Sequence, residues 1–245
     1  MKYALILVFV CLQFSAISLA QELNLRLESG MGSVKMKDLK EINDLNLKAL
    51  PFDAKLTSDF PMYWYYKPSL EFSFKKILTI GIEWAYLTSG SRISLMDYSG
   101  EYSFDTKIMS SSPAILVELW QNVSDFKIAF GNEFGYAYTN VGYIEILRIG
   151  TDTQKSEDSF KSESWFYEPS IRISYPISRF NAGIVVGYLL DSKDGNLYGA
   201  KNKNIVLQLP NSSYVRSDWS GIRLGLTLSY NLLRRSQPAT MPLDF

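Results

Sequence analysis

Long stretches of the chain alternate apolar with polar residues, and this period of two constrains the fold more than any other feature. A β-strand whose two faces meet different surroundings has this pattern, because successive side chains point to opposite faces. We predict eight such strands, at about residues 22–32, 62–74, 78–88, 126–138, 165–175, 180–188 and 219–232, with one more ending near Leu119. An even number of long strands predicts one all-β, up-and-down antiparallel barrel.

The first twenty residues have a different character. One lysine, an apolar run and a small-residue ending before Gln21 are typical of a secretory signal peptide. The run is too short to cross a bilayer as a helix, which needs about 20 apolar residues. We therefore expect a signal peptide at 1–20, a barrel at 21–232 and a periplasmic tail at 233–245. Removing Lys2 leaves 24 basic and 25 acidic residues, a balance that argues against nucleic-acid binding.

The predicted connections alternate in length. Those after the second, fourth and sixth strands are short turns, whereas most of the others are long segments. Outer-membrane barrels typically have short periplasmic turns and long extracellular loops. We therefore expect the loops near Asn43, Gln154 and Asn202 at the cell surface and the turn at Asn122 in the periplasm.

Three features favour a membrane barrel over a soluble one. The strands exceed the soluble mean of about five to six residues, their polar faces carry mostly small residues that suit a narrow lumen, and aromatic residues gather at both strand ends. Two such girdles mark the two membrane interfaces. The predicted girdle residues are Trp64, Tyr66, Trp84, Tyr86, Tyr136, Tyr138, Trp165, Tyr167, Tyr188 and Trp219 at the loop ends, and Phe72, Phe74, Phe126, Tyr175, Phe180 and Tyr230 at the turn ends. The sequence thus predicts an eight-stranded antiparallel up-and-down transmembrane β-barrel.

These features and the closing segment GLTLSYNL at 225–232 resemble small outer-membrane barrels of the OmpA, OmpX and OmpW type. The resemblance extends from Gln21 to about Leu232 and concerns pattern, so it implies architecture more than function. It also implies an outer-membrane location, contact with outer-membrane lipids and lipopolysaccharide, recognition by the barrel-assembly machinery, and a monomer. Such barrels commonly end on an aromatic residue, and here either Tyr230 and Leu232 or Phe245 carries that signal.

Histidine is absent from the whole chain, and this absence restricts catalysis. Membrane-barrel enzymes of this size class depend on histidine as a general base, and without histidine Ser-His and Asp-His arrangements are excluded. Zinc sites of the HExxH or Cys/His type are excluded as well. We therefore expect no enzyme, no cofactor and no metal site.

Charged residues on the predicted inner face form the most distinctive constellation. An unpaired charge in a narrow interior is strongly disfavoured, so these residues are expected to form ion pairs. The predicted lumen network contains Arg26, Glu28, Glu71, Glu83, Glu118, Lys127, Glu133, Glu168, Arg172 and Arg223. An ion-paired plug is the favoured interpretation, with a gate or conductive path and paired catalytic carboxylates as alternatives.

Two local patterns complete the prediction. Residues 36–45 have apolar side chains at every third position between charges, which indicates a short amphipathic helix. This helix caps the barrel mouth, lies on the outer leaflet or orders the first loop. Pro68, Pro113 and Pro169 each interrupt an apolar face, and a shared bulge or bend is expected there.

The sequence leaves two candidate functions of different classes. The first is a non-enzymatic outer-membrane protein with a structural or surface-interaction role. The second is a conduit for small, apolar solutes that enter through the barrel wall, as a resemblance to OmpW would imply. Conductance and the nature of the lumen distinguish the two.

Overall fold

The computed structural model describes residues 22–74, 77–98, 100–192 and 194–234, so the predicted signal peptide and all but the first residues of the predicted tail lie outside the described residues. Its elements in chain order are β1 (Glu22–Gly32), α1 (Lys37–Ala49), β2 (Lys55–Asp59), β3 (Tyr63–Phe74), β4 (Leu78–Asp97), β5 (Gly100–Val123), β6 (Phe126–Ile149), β7 (Asp152–Ile177), β8 (Phe180–Asp191), β9 (Tyr198–Gly199) and β10 (Gly221–Arg234). Within this part of the chain, no helix is long and apolar enough to cross a membrane.

Eight antiparallel strands close into a barrel. The ring runs β1, β3, β4, β5, β6, β7, β8 and β10, and β10 pairs with β1. Each strand pairs with the next ring strand along the chain, so the topology is up-and-down. β2 pairs with β4 and β9 pairs with β7 outside the ring. The predicted fold class is confirmed.

β4, β6 and β7 are much longer than the alternation predicted, and β5, for which the alternation predicted only the end, is equally long. β4 and β5 pair continuously up to Asp97 and Gly100, and β6 and β7 do so up to a turn at 150–151. The prediction of long loops in these two places is wrong. Beyond the membrane the outer faces of these strands carry charged and small residues. The alternation of apolar and polar residues is therefore lost in the sequence, although strand pairing continues. Gly150, in the turn between β6 and β7, has φ +59°, a backbone conformation that favours glycine.

Helix α1 lies over the barrel mouth. Leu39 is buried among apolar residues of the upper barrel, together with Met36 at the helix start. The Asn43 amide donates to Asp59 at 3.3 Å and accepts a hydrogen bond from Ser91 at 3.3 Å. Of the three roles considered for this helix, the structure therefore supports the cap over the barrel mouth. Asn43 itself is buried, whereas Glu41, Asp44 and Lys48 of the same helix are exposed, and the cell-surface position of this segment stays a prediction.

The three prolines interrupt strand pairing on one side. The β3–β4 ladder passes from Tyr66 to Ser69 without pairing Pro68, and equivalent gaps occur at Pro113 in β5–β6 and at Pro169 in β7–β8. The register is the same on both sides of each gap, so the expectation of a bulge is wrong, and the alternative of a bend stays a prediction. Proline has no N–H to donate to the ladder, which explains a local gap without a register shift.

Candidate functional site

The outer surface of the barrel is apolar between two aromatic zones. Of the fifteen predicted girdle residues other than Trp219, ten are exposed and five are half-buried. The exposed ones are Trp64, Tyr66, Trp84, Tyr86, Phe126, Tyr138, Trp165, Tyr175, Phe180 and Tyr188, and the half-buried ones are Phe72, Phe74, Tyr136, Tyr167 and Tyr230. Aliphatic side chains such as Ile82, Leu224 and Leu226 are exposed between the two zones. A closed barrel with this exterior is a transmembrane barrel of the outer-membrane type.

Trp219 corrects the girdle prediction. Its side chain is only 1% exposed, and its Nε1 donates to Thr139 Oγ1 at 3.0 Å inside the barrel. Ile222 and Leu224 face outward, so an alternation continued backwards places residue 219 on the inner face with Arg223. The indole therefore fills the interior instead of marking the interface.

The interior at membrane level contains a network of buried ion pairs, and the part nearer the short turns centres on Arg26. The guanidinium contacts Glu71 at 2.7 Å, Glu118 at 2.9 Å and Glu83 at 3.4 Å. Arg172 contacts Glu71 at 3.6 Å and also pairs with Glu118. Two arginines thus share the same two carboxylates, and this part of the network is close to electrically balanced.

The part of the network nearer the loops centres on Lys67. Its Nζ lies 2.8 Å from Glu133 and within 4 Å of three further carboxylates. Those contacts are to Glu28 at 3.4 Å, Glu168 at 3.7 Å and Glu83 at 3.9 Å. Arg223 pairs with Glu168 at 2.5 Å. One ammonium group therefore faces four carboxylates, and this part is rich in acid.

The network as a whole contains six carboxylates and four cations among the described residues. The cations are Arg26, Lys67, Arg172 and Arg223. Each of these side chains except that of Arg172 is almost fully removed from solvent. Buried charges are tolerated only with close partners. Arg26, Lys67 and Arg172 each contact more than one carboxylate, so each of them compensates several buried charges.

Two tyrosines border the acid-rich part. Tyr65 donates to Glu28 at 2.9 Å, and Arg223 Nε donates to Tyr63 at 2.9 Å. Glycines leave room for these long side chains: a Cβ at Gly225 would lie 2.4 Å from the Tyr65 hydroxyl. Small inward-facing residues and long charged ones thus alternate to fill a narrow lumen.

Above the ion pairs the interior becomes apolar. Tyr63 packs edge to face on Trp219 with ring centroids 5.4 Å apart, and both belong to one buried cluster. Further buried members come from α1, from β4 to β8 and from the segment before β10; they include Leu39, Leu87, Ile108, Val141, Phe166, Leu189, Leu197, Leu209 and Val215. The carboxylate of Asp38 accepts hydrogen bonds from Arg216, which holds α1 against that segment. We call this cluster the apolar plug.

At the end with the short turns the interior contains a small cavity. It measures about 40 Å³ and is lined by polar groups that include Asn24, Lys127, Arg172 and Asn181. Lys127 lies here, and its ammonium group is 4.7 Å from the centre of the Trp120 ring. The structure therefore places this predicted network member half-exposed at the end of the barrel opposite α1. The remaining nine predicted lumen residues come together in the ion-pair network.

The outer wall carries a shallow groove at the prolines. Its volume is about 670 Å³, and Pro68, Trp84 and Pro113 line it together with other apolar residues. Glu83 and Ser69, whose side chains belong to the interior, also contribute to its lining. The gaps in strand pairing thus bring the inner and outer faces close together at this place.

Sequence reasoning missed three residues of the interior. Lys67, Tyr63 and Tyr65 have the same parity along β3 as Glu71, which places them on the inner face. Parity alone could have identified all three, since it requires only that the alternation be continued to the start of the strand. Among the described residues, no group of three or more histidine, cysteine, aspartate or glutamate side chains could hold a metal ion.

Comparisons with protein families and with curated proteins found no match. Solved structures do show similar chains. The outer membrane protein OprG from Pseudomonas aeruginosa is 12% identical, with a TM-score of 0.45 over 87% of this chain and 97% of that one. Ail, the attachment invasion locus protein of Yersinia pestis, is 8% identical, with a TM-score of 0.35 over 86% and 98%. LpxR from Salmonella typhimurium is 8% identical, with a TM-score of 0.23 over 83% and 99%.

Proposed function

We propose that this chain is a non-enzymatic outer-membrane barrel that is closed along its axis and has a structural or surface-interaction role. The observation that carries the proposal is the filled interior, with the ion-pair network at membrane level and the apolar plug above it. An eight-stranded barrel is just wide enough for side chains to fill it. The absence of histidine from the sequence supports a role without catalysis.

The height of the barrel on its loop side supports the surface-interaction role. From Tyr86 to the end of β4 at Asp97 the strand continues for roughly 35 Å, at about 3.3 Å per residue. β5, β6 and β7 extend alongside it. We call this four-stranded extension the extracellular wall. A rigid sheet of this size presents side chains far from the membrane and adds nothing to a pore.

Conductance in planar bilayers tests the closed axis. We expect the purified wild-type protein to give no large, stable current, because no continuous aqueous path passes the two filled layers. Large, stable, ion-selective currents would contradict the proposal.

Cysteine labelling tests the orientation of the barrel. Cysteines introduced at Gln154 and Asn202 should react with an impermeant reagent in intact cells, and a cysteine at Asn122 should not. The opposite labelling pattern would show that the barrel has the reverse orientation in the membrane.

A lateral conduit is the second candidate, and the groove at the prolines favours it. Apolar solutes in that groove would lie beside Glu83 and Ser69, where strand pairing is interrupted. Pro113→Ala restores a backbone donor next to the groove. If the groove conducts, this variant should slow the uptake of an apolar fluorescent dye into vesicles containing the protein. Equal uptake by vesicles with wild type, variant or no protein would exclude the conduit.

A further inference from the structure

The inner face of the extracellular wall continues beyond the apolar plug. Strand register places its last two inner rows at Leu95, Tyr102, Leu147 and Gln154, and at Asp97, Gly100, Ile149 and Asp152. We call these two rows the wall tip. Leu95 lies nine residues beyond Tyr86 of the aromatic zone, about 30 Å along β4. Since aromatic side chains mark the level of the lipid headgroups, the wall tip faces water and not lipid.

A pocket of about 260 Å³ opens at the wall tip. Its apolar lining combines Leu95, Tyr102 and Leu147 with Phe52, which comes from the connection between α1 and β2. Phe52 packs edge to face on Tyr102 with ring centroids 5.1 Å apart, so this ring bounds the pocket on one side. Ile149 also lines the pocket and is 61% exposed. The pocket therefore collects apolar surface that the chain leaves in contact with water.

The volume of the pocket indicates what kind of group fits. Sites for small molecules typically have about 300–1,000 Å³, which is more than this pocket provides. One large side chain, such as that of tryptophan, fills a space of this size. Protein interfaces are commonly anchored by single aromatic side chains in well-packed pockets. The pocket is therefore better suited to one side chain of a partner protein than to a free ligand.

The polar surroundings of the pocket are acidic. Asp97 and Glu101 line it together with Arg148, whose guanidinium contacts Glu101 at 3.1 Å. The Tyr102 hydroxyl donates to Glu145 in the next row down, and burial together with this carboxylate raises the pKa of Tyr102 to about 12. This hydroxyl therefore remains a donor at physiological pH. Three carboxylates against one guanidinium leave an excess of negative charge around the apolar lining.

The other face of the sheet does not offset this excess within the pocket. Lys55 of β2 pairs with Ser94, which belongs to the outward-facing set of β4. This lysine is therefore on the face opposite to Tyr102. A surface of this kind favours partners that combine an apolar group with positive charge, because like charges at an interface are strongly disfavoured.

We propose that the pocket at the wall tip binds a partner protein through one large apolar side chain that is flanked by lysine or arginine. The inference rests on the proposed surface-interaction role, because the wall must face outward to meet such a partner. The apolar side chain displaces water from Phe52, Leu95 and Leu147, and burial of their apolar area is favourable. The flanking cations lie beside the carboxylates at the rim and direct the approach of the partner.

Isothermal titration calorimetry with short peptides tests the pocket. The peptides are titrated into the folded full chain in a zwitterionic detergent, with empty micelles as the reference. The probe is an acetylated and amidated pentapeptide with a central tryptophan between two lysines on each side. We expect this peptide to bind. The same peptide with a central alanine, or with glutamates in place of the lysines, should bind about tenfold more weakly or not at all.

Variants of the lining distinguish the apolar and the charged contributions. Phe52→Ala removes one side of the pocket and should weaken binding of the tryptophan peptide by about tenfold. Ile149→Ser changes only the exposed rim, so it tests the same surface even where Phe52→Ala folds poorly, and it should weaken binding by about threefold. The double variant Asp97→Asn with Glu101→Gln should weaken binding by about tenfold and reduce its dependence on salt.

Two matched controls should bind the tryptophan peptide as wild type does. Met96→Ser changes an exposed apolar residue at the same strand end that is not part of the pocket lining. Asp125→Asn removes an exposed carboxylate in the turn at the other end of the barrel. Heat-modifiable gel mobility verifies that every variant is folded.

Four results would overturn the inference. The first is that wild type does not bind the tryptophan peptide, and the second and third are equal binding of the alanine peptide or of the acidic peptide. The fourth is a wild-type dimer in analytical ultracentrifugation that Ile149→Ser dissociates, since a second copy of this chain would then occupy the pocket. Conductance and cysteine labelling are measured separately, so a failure here is distinguishable from a failure of the closed, outward-facing barrel.

Discussion

At membrane level the barrel is filled by charged side chains, whereas above the membrane the same barrel is filled by apolar ones. Lys67 and Arg26 each contact three or more carboxylates, while Trp219 and Leu39 contribute apolar surface to the plug. Charges in a low-dielectric interior interact strongly and depend on every partner. Apolar packing depends mainly on volume and tolerates the loss of single contacts better. The two layers should therefore respond differently to substitution.

Lys67→Met should have the largest effect. The substitution removes the cation nearest to Glu28 and Glu133 and leaves several carboxylates buried without compensation. Loss of one partner of a buried ion pair costs about 3–5 kcal/mol, and more than one pair is lost here. We expect little or no heat-modifiable protein, and urea unfolding at much lower concentration for any that folds. Lys127→Met at the half-exposed mouth is the control and should remain folded.

Trp219→Ala tests the apolar plug. A large-to-small change at this buried position should lower the free energy of unfolding by about 3–5 kcal/mol, less than the loss at Lys67. The ring of strands in the membrane should remain intact, so we expect normal heat-modifiability but faster proteolysis in the segment before β10. Trp165→Ala, on the outer face, should not change proteolysis there. Protection equal to wild type in both variants would show that the plug is not held by the indole.

Two isosteric changes compare the balanced and acid-rich parts of the network. Glu118→Gln removes a carboxylate that Arg26 and Arg172 share, so unfolding should require about 2 kcal/mol less. Glu133→Gln removes one of four carboxylates around Lys67, and the others still neutralise the ammonium. Glu133→Gln should therefore lower the free energy of unfolding by no more than about 1 kcal/mol. Equal losses measured by urea unfolding would contradict the division of the network into two parts.

The sequence predicts the barrel and the inner face well because both depend on one local rule, alternation. That rule places Arg26, Glu118 and Arg223 inside without any knowledge of tertiary contacts. It fails where the chemistry of the outer face changes. β5 and β7 continue past the membrane with charged outer residues, and the same strands then resemble loops.

The partners within the network could not be read from the sequence. Alternation shows that Lys67 and Glu133 both point inward, but they lie on β3 and β6, and their separation depends on strand tilt and on the diameter of the closed ring. The apolar plug has the same origin, since it combines α1 with a segment nearly 180 residues later through Asp38 and Arg216. Contacts of this kind follow from closure of the barrel and not from local pattern.

The smallest difference concerns two glycines on opposite faces of the barrel sheet: Gly187 faces the interior on β8, and Gly142 faces outward on β6. A methyl group at Gly187 would lie 2.7 Å from Glu168 Oε1, the carboxylate that pairs with Arg223. Because the crowded atom is the end of a flexible side chain, the carboxylate can shift, and Gly187→Ala should cost only about 1–2 kcal/mol. Gly142→Ala meets open space and should leave the free energy of unfolding unchanged or slightly higher. Urea unfolding of the two variants side by side measures the difference. Equal stability would mean that the network has more free volume around Glu168 than its contact distances indicate.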